Sequence, residues 1–533
     1  MLVDFGELSE DGDVRYDLCI VGSGAAGLAV ASTFWDGRRA VCIVESGAAS
    51  PQQRYQSLNR AECVGLDYDC VESRCRALGG TLHMWSGTCA PLDPIDFRPR
   101  AWVPRSGWPI DRAALQPHYA EAAAFFGAPE TMGVFDALPD ACERQLDRMS
   151  VPTPEFDRKP FLLLHAHVAA HVGRLRKKVA AAGNVHCIVD ATVVDIAERD
   201  GGAVDHIVLR SMRGDSTRKV RAKAFVICAG GLETPRLLLA SRQRRETGIG
   251  NARGLVGRYF MDHPRIRSTA FPLPRRMQAP ILTQARNGSV GLRSGFTVTE
   301  SLQEKLELAN HCFFLNPVSV DLEAKAVRSL ETVRRAEPGD DRAEAFSRAR
   351  VGVMRLARRG WRAMPARLRL AFESGLSMRT FKQLSVVTKI EQVPNPASAI
   401  TLSTETDRFG VPKLRLQWRL DDVDRAGIAR YHDLIGSAFQ RHGHATEELS
   451  FLGPGGDYIV QDTAHPMGAT RMSDDPQWGV VDPNLKVFGV PNLFLCSSSV
   501  FPSGGNANPT FTIVALAKRL GHHLEAQLAA GRL

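Results

Sequence analysis

The chain has 533 residues, of which 44% are hydrophobic and 23% are charged, as is typical of a globular enzyme with two or three domains. Its net charge of +9 raises the question of nucleic acid as a partner. No stretch alternates aromatic and basic residues as a nucleic-acid platform does, so nucleic acid is not expected as a partner.

The chain carries no obvious membrane or export signal. Residues 1–15 are polar and acidic without an apolar core, so no signal peptide is expected. No apolar run reaches about 18 residues, so we expect no integral membrane segment. These features predict a cytoplasmic enzyme.

The first predicted element is a buried strand, Tyr16–Val21, followed at once by a glycine-rich turn, Gly22–Gly27. Gly22 permits the tight turn, and Gly24 lets the backbone approach a pyrophosphate. Gly27 lets the next helix pack against the strand, and that helix presents its N-terminal amides to the phosphates. The pattern predicts a dinucleotide site.

A second apolar run, Ala40–Val44, ends in Glu45. This carboxylate stands close to the ~20 residues beyond the glycine turn at which an acid binds a ribose. An acid at this point disfavours a 2′-phosphate, so FAD or NAD fits better than NADP.

The 11 cysteines are scattered, and four of them lie inside apolar runs: Cys19, Cys42, Cys228 and Cys496. This pattern predicts buried free thiols rather than a disulfide framework. Cys70 and Cys75 lack the partners of a zinc site, so no metal site is expected.

The middle of the chain alternates further predicted elements. Arg76–Thr81 is another glycine-rich turn able to approach a cofactor. The remaining predictions are helices at 113–126 and 168–182, paired strands at 185–196 and 204–212, a buried strand at 224–229 ending in Gly230 and Gly231, and a helix at 234–241.

From about residue 266 the pattern becomes strand-like. The stretches Val386–Glu391, Ala399–Ser403 and Lys413–Leu420 predict an antiparallel sheet that bears the substrate. The chain then returns to a buried strand, Asn492–Cys496, and a closing helix, Thr512–Leu528.

Much of the excess positive charge lies between Arg328 and Arg379, among apolar residues at partly helical spacing. We interpret this segment as an amphipathic helical cover with a solvated basic face. Attraction of phosphorylated substrates or anionic lipid is the alternative.

Two polar residues near the C-terminus suit proton chemistry. His465 lies in a loop with Pro466 and Gly468, and histidine, with a pKa of about 6.5, accepts a proton at neutral pH. The alternative is a loop residue that only donates or accepts hydrogen bonds. Asn508 is able to donate its amide to a developing alkoxide, or to cap the helix that follows it.

The other polar candidates are less persuasive. His263 and His186 are interpreted as structural residues. Glu391 ends a strand, and its direction is left open. Four further histidines are interpreted as solvated: His442, His444, His522 and His523.

An ordered set of motifs resembles the glucose–methanol–choline (GMC) oxidoreductases, in a bacterial branch that oxidises sugars. The matching segments are Val21–Gly27 with Glu45, Ala77–Thr81, Val226–Arg236, Val256–Arg258 with Asp262–Pro264, His465–Met472, Val481–Pro483, Phe501–Pro502 and Asn508–Thr510. The resemblance implies a Rossmann-like FAD-binding domain, doubly wound on a mostly parallel sheet, interleaved with an α+β substrate domain on an antiparallel sheet.

The resemblance also implies the roles of individual residues. His465 would be the base and Asn508 its partner, while hydride passes to flavin N5. The residues implied to bind FAD are Gly22, Gly24, Ala26, Gly27, Glu45, Gly79, Gly80, Thr81, Val193, Ala229, Gly230, Asn508, Pro509 and Thr510.

One departure concerns the link to the flavin. Sugar-oxidising relatives often place a histidine directly before the tryptophan of this loop, and in some of them it bonds covalently to the flavin. Here Met84 precedes Trp85, and the histidine is His83, one position earlier. Non-covalent FAD is therefore expected, with His83 as the alternative point of attachment.

The expected activity is oxidation of a CH–OH group of a sugar, glycoside or similar polyol, with oxygen, a quinone or a protein as acceptor. An apolar, sterol-like alcohol and an FAD-retaining lyase are the alternatives. A flavin monooxygenase would need a second nucleotide fingerprint, which the chain lacks. The FAD domain is predicted at 1–95, 185–265 and 462–533, and the substrate domain with its lid at 96–184 and 266–461.

Overall fold

The computed structural model describes residues 1–8, 15–35, 37–128, 153–272, 285–287, 290–318 and 383–533. The basic segment 328–379 lies outside these residues. The strands are β1 (Leu2–Asp4), β2 (Arg15–Val21), β3 (Val41–Val44), β4 (Ala61–Gly65), β5 (Thr88–Cys89), β6 (Phe156–Leu163), β7 (Val185–Val189), β8 (Thr192–Glu198), β9 (Val204–Arg210), β10 (Thr217–Ile227), β11 (Arg265–Arg267), β12 (Phe271–Pro272), β13 (Ala285–Asn287), β14 (Val290–Val298), β15 (Cys312–Val318), β16 (Gln383–Lys389), β17 (Ala399–Thr406), β18 (Pro412–Trp418) and β19 (Leu493–Leu495).

The α-helices of the described residues are α1 (Ala25–Ser32), α2 (Gln53–Gln56), α3 (Pro94–Phe97), α4 (Arg112–Phe125), α5 (His165–Ala181), α6 (Gly230–Ala240), α7 (Glu300–Leu306), α8 (Asp422–Arg441) and α9 (Pro509–Ala529). The predicted helices at 113–126, 168–182 and 512–528 are confirmed as α4, α5 and α9. Within the described ranges no helix combines the length and apolar character that crossing a bilayer requires.

The first sheet has the strand order β1-β7-β3-β2-β10-β9-β8, and β19 pairs with the end of β10. Strands β1, β7, β3, β2, β10 and β19 run parallel, while β8 and β9 are antiparallel additions. The apolar residues of β2 and β3 are fully buried because a parallel sheet is covered on both faces. This is the predicted doubly wound arrangement.

The second sheet has the order β11-β16-β15-β14-β6-β5, with β12 on β16 and β13 on β14, and all of its pairs are antiparallel. Side chains alternate between its two faces. One face packs Phe313 and Val386 against Ile428 and Ile435 of α8 in an apolar core. The fold class expected from the sequence, a parallel sheet interleaved with an antiparallel one, is thus confirmed.

The sequence pattern predicted that the strands at 399–403 and 413–420 share an antiparallel sheet with the strand at 386–391. This prediction is wrong, because the strands at 399–406 and 412–418 do not join the second sheet. They form a separate sheet in the order β17-β18-β4, with β4 parallel to β18. Trp418 is fully buried, and its ring lies 5.7 Å from that of Tyr68. Alternation in the sequence predicts a strand but not its partner, which for β18 is β4, far away in the chain.

The predicted strand at 185–196 is two strands. Asp190 adopts φ 56°, which turns the chain between β7, in the parallel region, and β8, which pairs with β9. The Asp190 carboxylate accepts hydrogen bonds from Ser211 Oγ at 2.6 Å and Arg213 Nε at 2.5 Å. The apolar run continues through this bend, so hydrophobicity alone does not reveal it.

The predicted helix at 234–241 begins earlier, because α6 starts at Gly230. The predicted domain boundaries stay a prediction. The structure pairs β4 and β5, from the first predicted range, with β18 and β6 of the second.

Candidate active site

A cavity of about 430 Å³ opens where the carboxyl ends of the parallel strands meet. Residues from both the N-terminal and the C-terminal parts of the chain line this cavity. Its lining includes Gly22, Gly24, Ala26, Glu45, Gly80, Thr81, Val193, Ala229, Gly230, His465, Pro509 and Thr510. The structure therefore brings most of the sequence-predicted site residues to one place.

The three glycines of the first turn occupy different environments. A Cβ on Gly22, whose φ is 99°, would lie 2.6 Å from the carbonyl oxygen of Cys228. A Cβ on Gly27 would lie 1.9 Å from the carbonyl oxygen of Gly22, so this glycine permits the helix to pack under the turn. A Cβ on Gly24 meets no atom within 4 Å, which leaves its backbone open to the cavity.

The second glycine turn lies directly against the first. Gly80 has φ 53°, and a Cβ there would be 2.8 Å from the Cα of Gly24. Gly79 is outside the cavity lining, and a Cβ on it would lie 2.8 Å from Val172. The two turns thus form a narrow backbone cradle of the kind that a pyrophosphate needs.

The Glu45 carboxylate is buried at the end of β3. Its Oε2 accepts hydrogen bonds from the Ser23 backbone amide at 3.0 Å and from Ser23 Oγ at 2.5 Å, and its Oε1 accepts one from the Gly47 amide at 2.8 Å. Burial raises the pKa of Glu45, and these hydrogen bonds oppose the shift. The carboxylate retains lone pairs for a ribose hydroxyl.

An ion-pair cluster at the cavity wall was not predicted from the sequence. Glu233 accepts charge-assisted contacts from Arg74 at 3.2 Å, Arg76 at 3.0 Å and Arg236 at 2.5 Å. Burial alone would raise the pKa of Glu233, but the three guanidinium groups hold it well below its usual value. The sequence does carry a signal for this cluster, because Arg76 is the first residue of the second glycine turn, Arg76–Thr81.

His465 is held on several sides. Its backbone amide donates to Asp262 Oδ1 at 3.0 Å, and its Nδ1 lies 2.9 Å from Thr463 Oγ1 and 3.0 Å from His263 Nδ1. Its Nε2 lies 3.3 Å from Asn508 Nδ2. The ring is therefore fixed in orientation at the cavity wall.

The contacts at the His263 end select a tautomer for His465. The Nε2 of His263 lies 2.9 Å from the carbonyl oxygen of Gly505, which only accepts, so Nε2 carries the proton. The Nδ1 of a neutral His263 is then an acceptor. The proton of His465 therefore sits on Nδ1, which leaves its Nε2 unprotonated and able to accept a hydrogen bond or a proton.

The contacts at the Asn508 end select the same tautomer of His465. Lys389 Nζ donates to Asn508 Oδ1 at 2.8 Å, which turns the amide nitrogen of Asn508 toward His465. An amide nitrogen only donates, so His465 Nε2 is the acceptor. The Asn508 side chain makes no capping hydrogen bond to α9, although its backbone occupies the N-cap position.

Burial lowers the pKa of His465 well below its usual value, and the nearby His263 and Lys389 lower it further. Burial likewise lowers the pKa of His263 to about 3. Both rings are neutral at neutral pH, in agreement with the tautomers that the hydrogen bonds select.

Other predicted residues lie elsewhere. Asn508 is not part of the cavity lining but contacts His465, and Gly27 lies beneath the first turn. His83 is outside the lining, and its Nε2 lies 2.9 Å from the carbonyl oxygen of Leu78. His444 is buried, so its interpretation as a solvated residue is wrong.

Glu391, whose direction the sequence left open, points into the interior. It pairs with Arg100 at 2.6 and 2.7 Å and accepts hydrogen bonds from the backbone amides of Asn310 and Gly505. It braces the loop before Asn508 and does not line the cavity.

Fold and cavity define a dinucleotide-binding oxidoreductase with a second, antiparallel sheet beside the cofactor site. The two touching glycine turns, the open Gly24 backbone, the buried Glu45 carboxylate and the start of α9 fit the pyrophosphate, the ribose and the ring system of FAD.

Comparison with known proteins agrees with this class. Residues 394–517 match the family model described as GMC oxidoreductase. The chain is 25% identical over 498 residues to 2-methyl-1,2-propanediol dehydrogenase of Mycolicibacterium austroafricanum, covering 85% of this chain and 81% of that one. It is 24% identical over 569 residues to paromamine 6'-oxidase of Streptomyces fradiae, covering 96% of this chain and 91% of that one.

A solved structure of a formate oxidase variant from Aspergillus oryzae RIB40 shares the fold, with a TM-score of 0.57, 15% identity and coverage of 98% of this chain and 100% of that one. The chain is similar to the GMC oxidoreductases, whose family model matches its C-terminal part. It is an enzyme, and its cofactor is FAD, as expected.

Proposed function

We propose that this enzyme oxidises a CH–OH group of a sugar, glycoside or similar polyol, with His465 as the base. The observation that carries the proposal is the unprotonated Nε2 of His465, which the hydrogen bonds from Asn508 and to His263 select. The same histidine lines the cavity that contains Gly24 and Glu45. The similarity to a 2-methyl-1,2-propanediol dehydrogenase and to a paromamine 6'-oxidase supports a polyol or glycoside substrate.

The chemistry divides between cofactor and protein. Bound FAD supplies the acceptor for the hydride that leaves the carbinol carbon. The hydroxyl proton goes to Nε2 of His465 as the O–H bond breaks and the C=O bond forms. The amide of Asn508 donates to the oxygen as negative charge develops on it, and Lys389 fixes the direction of that amide.

The residues that would hold FAD are those of the two glycine turns, Glu45, Val193, the Ala229–Gly230 pair and the first turn of α9. Non-covalent attachment is proposed as well, because the His83 ring faces Leu78 and lies outside the cavity lining. Acid precipitation of the holoenzyme should release yellow FAD into the supernatant. A yellow pellet that His83→Ala makes colourless would establish a covalent link instead.

The test of the activity is anaerobic titration of the yellow holoenzyme with polyols, sugars, glycosides and apolar alcohols. Bleaching near ~450 nm, where oxidised flavin absorbs, by the first three groups is the expected result. His465→Ala should retain FAD and lose bleaching. His442→Ala, an exposed histidine at the end of α8, is the matched control and should bleach normally.

The other outcomes overturn the proposal. Bleaching by apolar alcohols alone would favour a sterol-like substrate. A yellow protein that no alcohol bleaches would favour lyase chemistry.

A separate experiment identifies the electron acceptor. The bleached enzyme is mixed with oxygen, a quinone or a redox protein, and the acceptor is the one that restores the flavin absorbance.

A further inference from the structure

The second sheet has a charged face, opposite to the one that packs on α8. Three cationic side chains lie on it, Lys159 on β6, Arg293 on β14 and Lys389 on β16, and they alternate with the rings of Phe161 and Phe314. Arg293 pairs in register with Phe161. This face reaches the active site, because Lys389 donates to Asn508.

The cations share the two aromatic rings. Lys389 Nζ lies 4.9 Å from the centre of the Phe161 ring and 5.6 Å from that of Phe314. The Arg293 guanidinium lies 4.4 Å from the centre of the Phe314 ring, and it also donates to Asn316 Oδ1. These rings and neutral acceptors stabilise the cations only in part.

Carboxylates balance only one of the three charges. Lys159 pairs with Asp93 at 2.7 Å, and the nearby carboxylate of Glu391 is taken by Arg100 at 2.6 Å. Within the part of the chain that the structure describes, neither Arg293 nor Lys389 has a carboxylate at ion-pair distance. Lys389 is buried beside Asn508, and Arg293 is half-buried on the same face of the sheet. Such charges are costly unless an anion joins them.

The titration of these groups points the same way. Burial lowers the pKa of Arg293 from its usual value, and it lowers the pKa of Lys389 to about 8. Lys389 remains protonated at neutral pH.

We propose that Arg293 and Lys389 bind an anionic substituent of the substrate, a carboxylate or a phosphate ester, close to the carbinol that is oxidised. The inference rests on the proposed function and narrows its substrate class to anionic sugars, such as sugar acids or sugar phosphates. Arginine suits this task because its planar fork matches both groups, while Lys389 adds charge on the His465 side.

The first test compares substrates that differ only in charge. D-Glucitol, D-gluconate and D-glucitol 6-phosphate are titrated anaerobically into the holoenzyme, and the kcat/KM for bleaching is measured for each. One anionic compound should exceed D-glucitol by roughly 10- to 100-fold, the range of one hydrogen bond to a charged group. Which of the two anions wins distinguishes the carboxylate from the phosphate ester.

The variant Arg293→Met keeps the length of the side chain and removes its charge. It should lose most of the preference for the anion, measured as the ratio of kcat/KM for the anionic compound to kcat/KM for D-glucitol. Arg441→Met, at an exposed arginine of α8, is the matched control and should keep the preference. Equal kcat/KM for neutral and anionic compounds, with no effect of Arg293→Met, would overturn the inference and leave the proposed function standing.

A second measurement does not depend on turnover. Glutarate, a dicarboxylate without a hydroxyl group, should perturb the flavin spectrum of the holoenzyme on binding, and Arg293→Met should weaken its binding by roughly 10-fold or more. Failure of every alcohol to bleach the flavin would overturn the proposed function, whereas this titration would still report on the anion site. No spectral change with glutarate, together with no anion preference, removes the site.

Discussion

The Nδ1 atom of His263 lies 3.0 Å from the Nδ1 atom of His465. Two imidazole nitrogens at this distance share one proton, and the carbonyl of Gly505 decides which ring carries it. His263 thus positions His465 without facing the cavity itself. Its interpretation as a structural residue was incomplete, because the sequence does not indicate that the two histidines meet.

The first prediction concerns this contact. His263→Phe removes the acceptor, so part of the His465 population takes the opposite tautomer. We expect kcat for flavin bleaching to fall about tenfold, the worth of roughly one hydrogen bond. The nearby His263 also lowers the pKa of His465, so the acid limb of the pH–rate profile should move to higher pH in the variant.

A purely structural role for His263 would leave that pH profile in place. FAD content and the melting temperature of His263→Phe are the controls for folding. An unchanged acid limb in a fully loaded variant would contradict this positioning role of His263.

The second prediction concerns Lys389, whose pKa burial lowers from 10.5 to about 8. Between these two values the unfolded chain binds more protons than the folded one, so this group makes stability rise with pH there. The charge costs the fold on the order of 3 kcal/mol at neutral pH. Lys389→Met should therefore raise the melting temperature at pH 7 and lower kcat, because the amide of Asn508 loses its fixed direction.

Melting curves of wild type and Lys389→Met at pH 7 and pH 10 test this. The stabilising effect of the substitution should shrink at the higher pH. A variant that is less stable at pH 7 would show that the lysine contributes net stability through Asn508 and the aromatic rings.

Local patterns in the sequence were sufficient for much of this structure. The turn Gly22–Gly27, the acid Glu45 and the helix α9 were all predicted close to where they lie, because each depends on short-range geometry. The buried thiols Cys19 and Cys42 also lie inside strands as predicted. Cofactor and fold class follow from such elements and their order.

Long-range contacts were not predictable in the same way. Lys389 reaches Asn508 across 119 positions, and His263 reaches His465 across 202. Nothing local marks either pair, since their meeting depends on how the second sheet docks on the first. The bend at Asp190 and the pairing of β4 with β18 also depend on residues that are distant in the sequence.

The third prediction concerns the buried pair of Arg100 and Glu391, which also holds the amide of Gly505. Glu391→Gln leaves the guanidinium uncompensated, and it should cost roughly 3–5 kcal/mol of unfolding free energy. Urea denaturation measures this. Glu405→Gln, at an exposed carboxylate on β17, is the control and should change little.

The same pair makes stability depend on acid. Burial would raise the pKa of Glu391, but Arg100 lowers it to about 2. A carboxyl group with a depressed pKa stabilises the fold above its unfolded value and loses that contribution as the pH falls toward 2. Wild type should lose stability below pH 4.5, and Glu391→Gln should lose less over the same range.

The fourth prediction tests the cradle formed by the two glycine turns. Gly80→Ala places a methyl group 2.8 Å from the Cα of Gly24, at a backbone φ of 53° that alanine rarely adopts. The turns must separate, and the purified variant should carry less FAD, with a Kd raised by at least about tenfold. Gly183→Ala is the control, because a Cβ there meets no atom within 4 Å. The ratio of absorbance at ~450 nm to that at ~280 nm reads out occupancy. Full occupancy in Gly80→Ala would mean that the phosphates do not depend on the approach of these two turns.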